Sequence, residues 1–156
     1  MRPPRSALAA VAATLLVGGC GASSFEDSVP ALAQPQTEQD RLPTGETDLA
    51  GIDADSTRYL GGTQVAEYWV GSDGDEICLA VSLRAAASTG ASCAGADEFA
   101  RSGLTVSVGA GTATAAGLLV PEGFDPADAP ADGDWVSVND NLLAPAGEGE
   151  AQAPAR

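Results

Sequence analysis

Three thiols and 22 carboxylates are the groups in this 156-residue chain that could do chemistry. The chain has no histidine, and its seven basic residues are all arginine. That composition removes whole reaction classes. A Ser-His-Asp or Cys-His arrangement, a Ser-Lys dyad and a lysine Schiff base all need a residue the chain lacks. The cysteines, Cys20, Cys78 and Cys93, are too far apart for a C-x-x-C redox pair, and no Lys or His lies beside them to depress a thiol pKa. Without His there is no ordinary zinc ligand set. Gly109-Ala110-Gly111-Thr112 lacks the Lys and the strand-to-helix setting of a phosphate-binding loop.

Carboxylates remain. Asp73 or Glu76 paired with Asp97 or Glu98 could in principle work as the two acids of a glycoside hydrolase. The plainer reading is that these are solvated turn residues, because a domain with so few aromatic side chains has little room for a sugar cleft. A hard cation such as calcium needs several oxygens at once. Asp73, Asp75 and Glu76 crowd one stretch, and Asp125, Asp128, Asp132 and Asp134 another. Neither has the ligand spacing or the distal Glu of an EF-hand loop. No metal and no cofactor is expected.

Cys20 has a different context. A basic start (Met1, Arg2, Arg5) leads into an apolar run from Ala7 to Val17, and the composition turns polar immediately after Cys20. The run is too short for a membrane span, which needs about 20 apolar residues. It fits the short apolar region of a secretory signal. Val17-Gly18-Gly19-Cys20 resembles the lipobox of bacterial lipoproteins. That resemblance implies a diacylglyceryl thioether on Cys20, cleavage just before it, and anchoring on the extracytoplasmic face of the cell membrane. Two acyl chains on one residue suffice for a stable anchor, whereas one binds only marginally. Arg2 and Arg5 are separated by two prolines, so no twin-Arg pair is present. The alternative is an ordinary secretory signal with Cys20 left as a free thiol.

Removal of residues 1–19 would leave five arginines against all 22 acidic residues, a net charge of −17. Such a charge repels nucleic acid and anionic lipid headgroups, both of which attract Lys/Arg clusters. With Cys20 lipidated, Cys78 and Cys93 form an even pair in an exported chain, which reads as a disulfide. The closed loop of about 15 residues corresponds to roughly 3 kcal/mol in the chain-entropy account. Two free thiols are the alternative.

The elements that must position these groups are short. Ala and Gly dominate the apolar count, and only two Trp, two Tyr and three Phe are present, so the core is that of one small domain. Residues 20–50 read as a flexible acidic, Pro-containing tether, with a reach of roughly 30 Å. The head is expected over 51–143, with a disordered tail over 144–156. Thr63–Val70 is rich in β-formers, and Asp73-Gly74 is a hairpin dipeptide. Ile77, Leu79, Val81 and Leu83 alternate with Cys78, Ala80 and Ser82, which predicts a strand with the disulfide opposite the apolar row. Residues 84–92 read as a turn, Asp97–Ser102 as one helical turn closed by Gly103, and Asp125–Gly133 as a loop. Strands are expected at Leu104–Val108, Thr112–Val120 and Trp135–Val138. The fold class is therefore all-β: a small antiparallel sheet or sandwich of five or six strands with one short helical turn. Tyr68 and Trp69 face opposite ways on a regular strand, and both are expected in the core.

With these residues together, the chain resembles small actinobacterial lipoproteins, a family to which no function is assigned. The residues that carry this are the lipobox, Gly51-Ile52-Asp53-x-Asp55-Ser56-Thr57-Arg58, Tyr68-Trp69, Ile77-Cys78-Leu79, Cys93, Val120-Pro121-x-Gly123, Trp135 and Asn141-Leu142-Leu143. A bias to Ala, Gly, Pro, Arg and Asp without Lys suits a GC-rich genome of that kind. The expectation is a lipid-anchored protein without enzymatic activity, an interaction or envelope-associated module with an unidentified protein or envelope partner. A cation- or small-ligand-binding lipoprotein is the second reading, and a hydrolase using carboxylates alone the third.

Overall fold

The computed structural model describes residues 24–43, 49, 51–131 and 133–148. It consists of two antiparallel four-stranded sheets packed face to face. The first sheet is a meander of β1 (Arg58–Gly62), β2 (Ala66–Asp73), β3 (Glu76–Leu83) and β4 (Ser88–Gly95). A seven-residue helix, Ala96–Ser102, crosses to the second sheet. That sheet contains β5 (Leu104–Ala110), β6 (Ala113–Leu119), β7 (Trp135–Asn139) and β8 (Leu142–Pro145) in the order β5-β6-β8-β7. The all-β expectation holds, with eight strands rather than five or six.

The alternation of β3 sets the core. Ile77, Leu79, Val81 and Leu83 face the second sheet and pack with Tyr68, Val106, Ala115, Leu119 and Leu142. Cys78 and Ala80 point the other way and pack with Ile52 and Trp69. Tyr68 and Trp69 are both buried, on opposite faces. Gly74, at φ 56°, makes the β2–β3 turn, and Gly103, at φ 66°, closes the helix by donating its N–H to Phe99 O at 2.9 Å. Gly117 has a different reason. A Cβ there would stand 2.9 Å from Cε1 of the Tyr68 ring, so the missing side chain is the space the ring occupies between the sheets.

Residues 84–92, expected to be a turn, hold most of β4 instead. Ser88-Thr-Gly-Ala-Ser-Cys-Ala-Gly95 has weak strand propensity, but full pairing with β3 from Glu76↔Gly95 to Leu83↔Ser88 overrides it. In that register Cys78 lies directly opposite Cys93, and the two are disulfide-bonded with Cα atoms 4.0 Å apart.

Two bulges join the remaining edges. Leu60 is the extra residue in β1 and Val138 the extra residue in β7, and both are turned into the core. The Leu60 carbonyl accepts the side-chain amide of Asn139, which stitches β1 to β7 across the gap between the sheets. Bulges at sheet edges also blunt edge-to-edge pairing.

The segment expected to be a flexible tether is, over its described residues 24–43, a strap packed against the head. A single helical turn, α1 (Phe25–Ser28), and a 3-10 turn, Pro30–Ala33, place Val29 at zero exposure in the main core, with Phe25 and Leu32 beside it. Ser28 O accepts from Glu122 N at 2.7 Å and from the Asn141 side chain at 3.0 Å. The Gln36 amide spans Ala54 O and Thr57, Arg58 Nε donates to Gln34 O, and Trp69 Nε1 to Gln39 O. Polar composition misled here because strap side chains bond head backbone, and head side chains bond strap carbonyls, instead of water. Few apolar anchors are then needed.

Asp40 is the clearest instance. One carboxylate oxygen accepts the edge-strand amide of Tyr59 at 2.8 Å, and the other accepts Thr37 N at 2.6 Å and Thr37 Oγ1 at 2.7 Å. Burial pushes the Asp40 pKa up, but these hydrogen bonds and the nearby Arg58 guanidinium more than offset it, so the carboxyl sits below its ordinary value of 3.8. A carboxyl with a depressed folded pKa stabilises fully above its unfolded pKa and stops doing so as pH falls through the folded value. Protection of the Tyr59 amide against hydrogen exchange is therefore expected to be constant from neutral pH down to about pH 5 and to decline only below about pH 4. An Asp40→Asn chain should show reduced protection already at neutral pH. Equal protection in both proteins across that range would contradict the assignment.

Candidate functional site

Among the described residues the one buried acid, Glu148, is not one that the sequence singles out. Glu148 lies at the end of a run, Ala-Pro-Ala-Gly-Glu, that reads as tail, yet it is only 8 % exposed. The folded head therefore extends to residue 148, beyond the boundary expected at 143. β8 runs through Pro145 and a 3-10 turn, Ala146–Glu148, folds the carboxylate back into the open end of the sandwich.

Three elements meet there. Glu148 Oε2 accepts from the Tyr68 hydroxyl at 2.6 Å and from Thr63 Oγ1 at 3.2 Å. Oε1 accepts from Ala116 N at 2.8 Å. The last bond has a local cause. β6 pairs with β8 only through Leu118↔Leu143 and Leu119↔Leu142, and beyond that point the β6 backbone keeps β5 on one side but has no strand on the other. Glu148 takes the Ala116 N–H in place of a strand. The Tyr68 hydroxyl also lies 3.0 Å from Ala116 O, so its single proton is shared between the carbonyl and the carboxylate. Thr63 Oγ1 in turn accepts from Ala66 N at 3.1 Å and organises the β1–β2 turn.

Burial, reinforced by the Glu148 carboxylate against it, pushes the Tyr68 phenol well above its ordinary pKa. It is a permanent donor and not a base. Every oxygen of the cluster is bonded within the chain, which makes it a polar latch between the two sheets and the segment that follows β8. Beside it is a groove of about 550 Å³ walled by Val65, Val108, Thr114, Pro145 and Glu148.

A second groove, of about 740 Å³, lies at the opposite end, between the strap and the β2–β3 turn. Phe25, Leu32, Arg58, Ser72 and Asp75 are among its walls.

The acids singled out from sequence are placed as follows. Asp73 and Glu76 face each other across the β2–β3 turn, with Asp75 exposed between them. Asp97 and Glu98 occupy the exposed first turn of the helix Ala96–Ser102. Asp125 caps the 3-10 turn Pro126–Asp128 through Ala127 N at 2.9 Å, and Asp134 O accepts from Ala146 N. Asp132 lies outside the described residues, as does Cys20 with the rest of the lipobox. Among the described residues no three His, Cys, Asp or Glu side chains are gathered to hold a metal ion, and no helix is long and apolar enough to cross a membrane. Cys78 and Cys93 are joined, as expected.

No protein-family model matches the chain, and no curated protein or solved structure matches it. The latch and the two grooves stand on their own geometry.

Glu148→Ala would leave the Tyr68 hydroxyl and the Ala116 amide without their carboxylate. A loss of roughly 2–3 kcal/mol is expected, in line with hydrogen bonds to charged groups. Deletion from residue 147 onward should cost at least as much. Urea unfolding of the three chains checks this, and a wild-type midpoint after deletion from 147 would remove the latch from the account.

Proposed function

We propose that this is a lipoprotein of the extracytoplasmic membrane face, lipidated at Cys20, whose two-sheet head is a non-enzymatic interaction or envelope-associated module. The observation that carries the location is the Cys78–Cys93 bond, at directly facing positions of β3 and β4. Structural disulfides persist in exported proteins and are rare in reducing compartments. It joins the lipobox-like Val17-Gly18-Gly19-Cys20 in favouring export. For the role of the head, the support is chemical. The buried acid–phenol pair is engaged in holding strands together, and the chain has no His or Lys to serve as a general base near neutral pH.

Cys20→Ala made in a bacterial host that processes lipoproteins is expected to move from the membrane fraction to the soluble exported fraction. The N-terminal peptide of wild-type protein should carry the mass of a diacylglyceryl group. Sedimentation of the Cys20→Ala protein with membranes would overturn the anchor.

A second reading, a cation- or small-ligand-binding lipoprotein, is favoured by the groove beside Glu148, whose volume lies within the range of small-molecule sites. Calorimetric titration with calcium and magnesium separates the two. The interaction reading predicts no stoichiometric heat; tight one-to-one binding would replace it with the second.

A further inference from the structure

The packed strap changes what a lipid on Cys20 would do to the head. Ser24 is already part of the fold, with its N–H bonded to Asp27 as the cap of α1. Four peptide steps separate Cys20 from Ser24, and four fully extended steps span at most about 14 Å. An anchor there would hold the head on a leash shorter than the head itself, since an eight-residue strand such as β3 is about 26 Å long.

The leash enters at one defined end. Ser28 is bonded to Glu122 and Asn141, just past β6 and in the β7–β8 turn. Ser24 and Phe25 wall the same groove as Ser72, Gly74, Asp75 and Ala96. The antiparallel register therefore places the strap, the β2–β3 turn and the start of the helix Ala96–Ser102 at one end of the sandwich. The β3–β4 and β5–β6 turns and the Glu148 latch lie at the other.

We propose that the lipidated chain stands on the bilayer by its strap end, with the end that carries Glu148 turned away from the membrane. This deepens the lipoprotein reading and rests on it. The strap end is acidic, with Glu26, Asp75, Glu76, Asp97 and Glu122 upon it. Against an anionic leaflet these charges repel over a Debye length of about 8 Å. The head is held off the headgroups while the leash limits how far it can go, and the two together fix its orientation.

The test uses full-length lipidated protein in vesicles of phosphatidylcholine and phosphatidylglycerol that contain an acceptor-labelled headgroup. A donor fluorophore is placed at Asp75→Cys or at Thr112→Cys, both exposed turn positions, under non-reducing conditions that keep the Cys78–Cys93 bond. Energy transfer to the bilayer is expected to be at least twofold stronger from position 75 than from 112. Insertion of about 20 Gly/Ser residues before Ser24, with a reach of about 25 Å, should erase most of that difference. Equal transfer from the two positions in a chain whose N-terminal peptide carries the glyceride would overturn the orientation and leave the anchor standing. Absence of the glyceride would overturn both.

Discussion

Tyr68 is the largest fully buried side chain, and two contacts at its two ends hold the molecule together. The ring lies where Gly117 leaves room for it in the opposite sheet. The hydroxyl reaches past Ala116 to Glu148, at the last described residue of the chain. With the ring in this place, the facing position 117 has no room for a side chain. The ring's hydroxyl can be buried only if an acceptor is supplied. The glycine and the glutamate are 31 residues apart and answer the two ends of one tyrosine.

The same shortage of large side chains explains the rest of the architecture. The facing surfaces of the two sheets are small, with Ala66, Ala94 and Ala115 among the buried residues. Both outer faces still carry apolar groups. Trp69, Cys78 and Ala80 on the first sheet pack with Ile52 and Leu42, which flank it in the preceding segment. Leu118, Val120 and Leu143 on the second lie under Phe124, Ala129 and Trp135. The domain thus gains a third and a fourth covering from segments with little regular structure. Strap and loop are parts of the core's cover and cannot be treated as linkers.

What was legible in the sequence follows from this. The β3 strand announced itself by period-two alternation, because its apolar face is made of branched side chains. The Asp73-Gly74 turn and the Gly103 helix stop were legible because a positive φ selects glycine. The cysteine pair was legible by counting. β4 was hidden, since Ser, Thr, Gly and Ala carry no periodic signal and the strand exists only through its partner. The strap was hidden because its hold on the head is made by hydrogen bonds between side chains and backbone groups 18 to 113 residues apart. Composition reports none of that. Glu148 was hidden for a related reason: a single acid among Ala, Pro and Gly looks solvated unless the unpaired Ala116 amide it serves is known. Of the candidate site, then, the thiols could be read from sequence and the latch could not.

Hydrogen bonds from the strap also decide how charge acts. The acidic surplus is spread over turns and over the strap, and Asp40, the carboxylate that ties the strap to β1, has its pKa held down by its donors and by Arg58. Arg84 similarly spans the β1–β2 turn, bonding Thr63 O at 3.0 Å and pairing with Glu67 at 3.2 Å. Among the described residues Arg58, Arg84 and Arg101 each bond a carbonyl or a carboxylate, and most of the described acids have no cation beside them and remain available to repel. A negatively charged body of this kind resists self-association and close approach to anionic surfaces. The strap lies at the acidic end of the sandwich, beside the β2–β3 turn, and the groove beside Glu148 opens at the other.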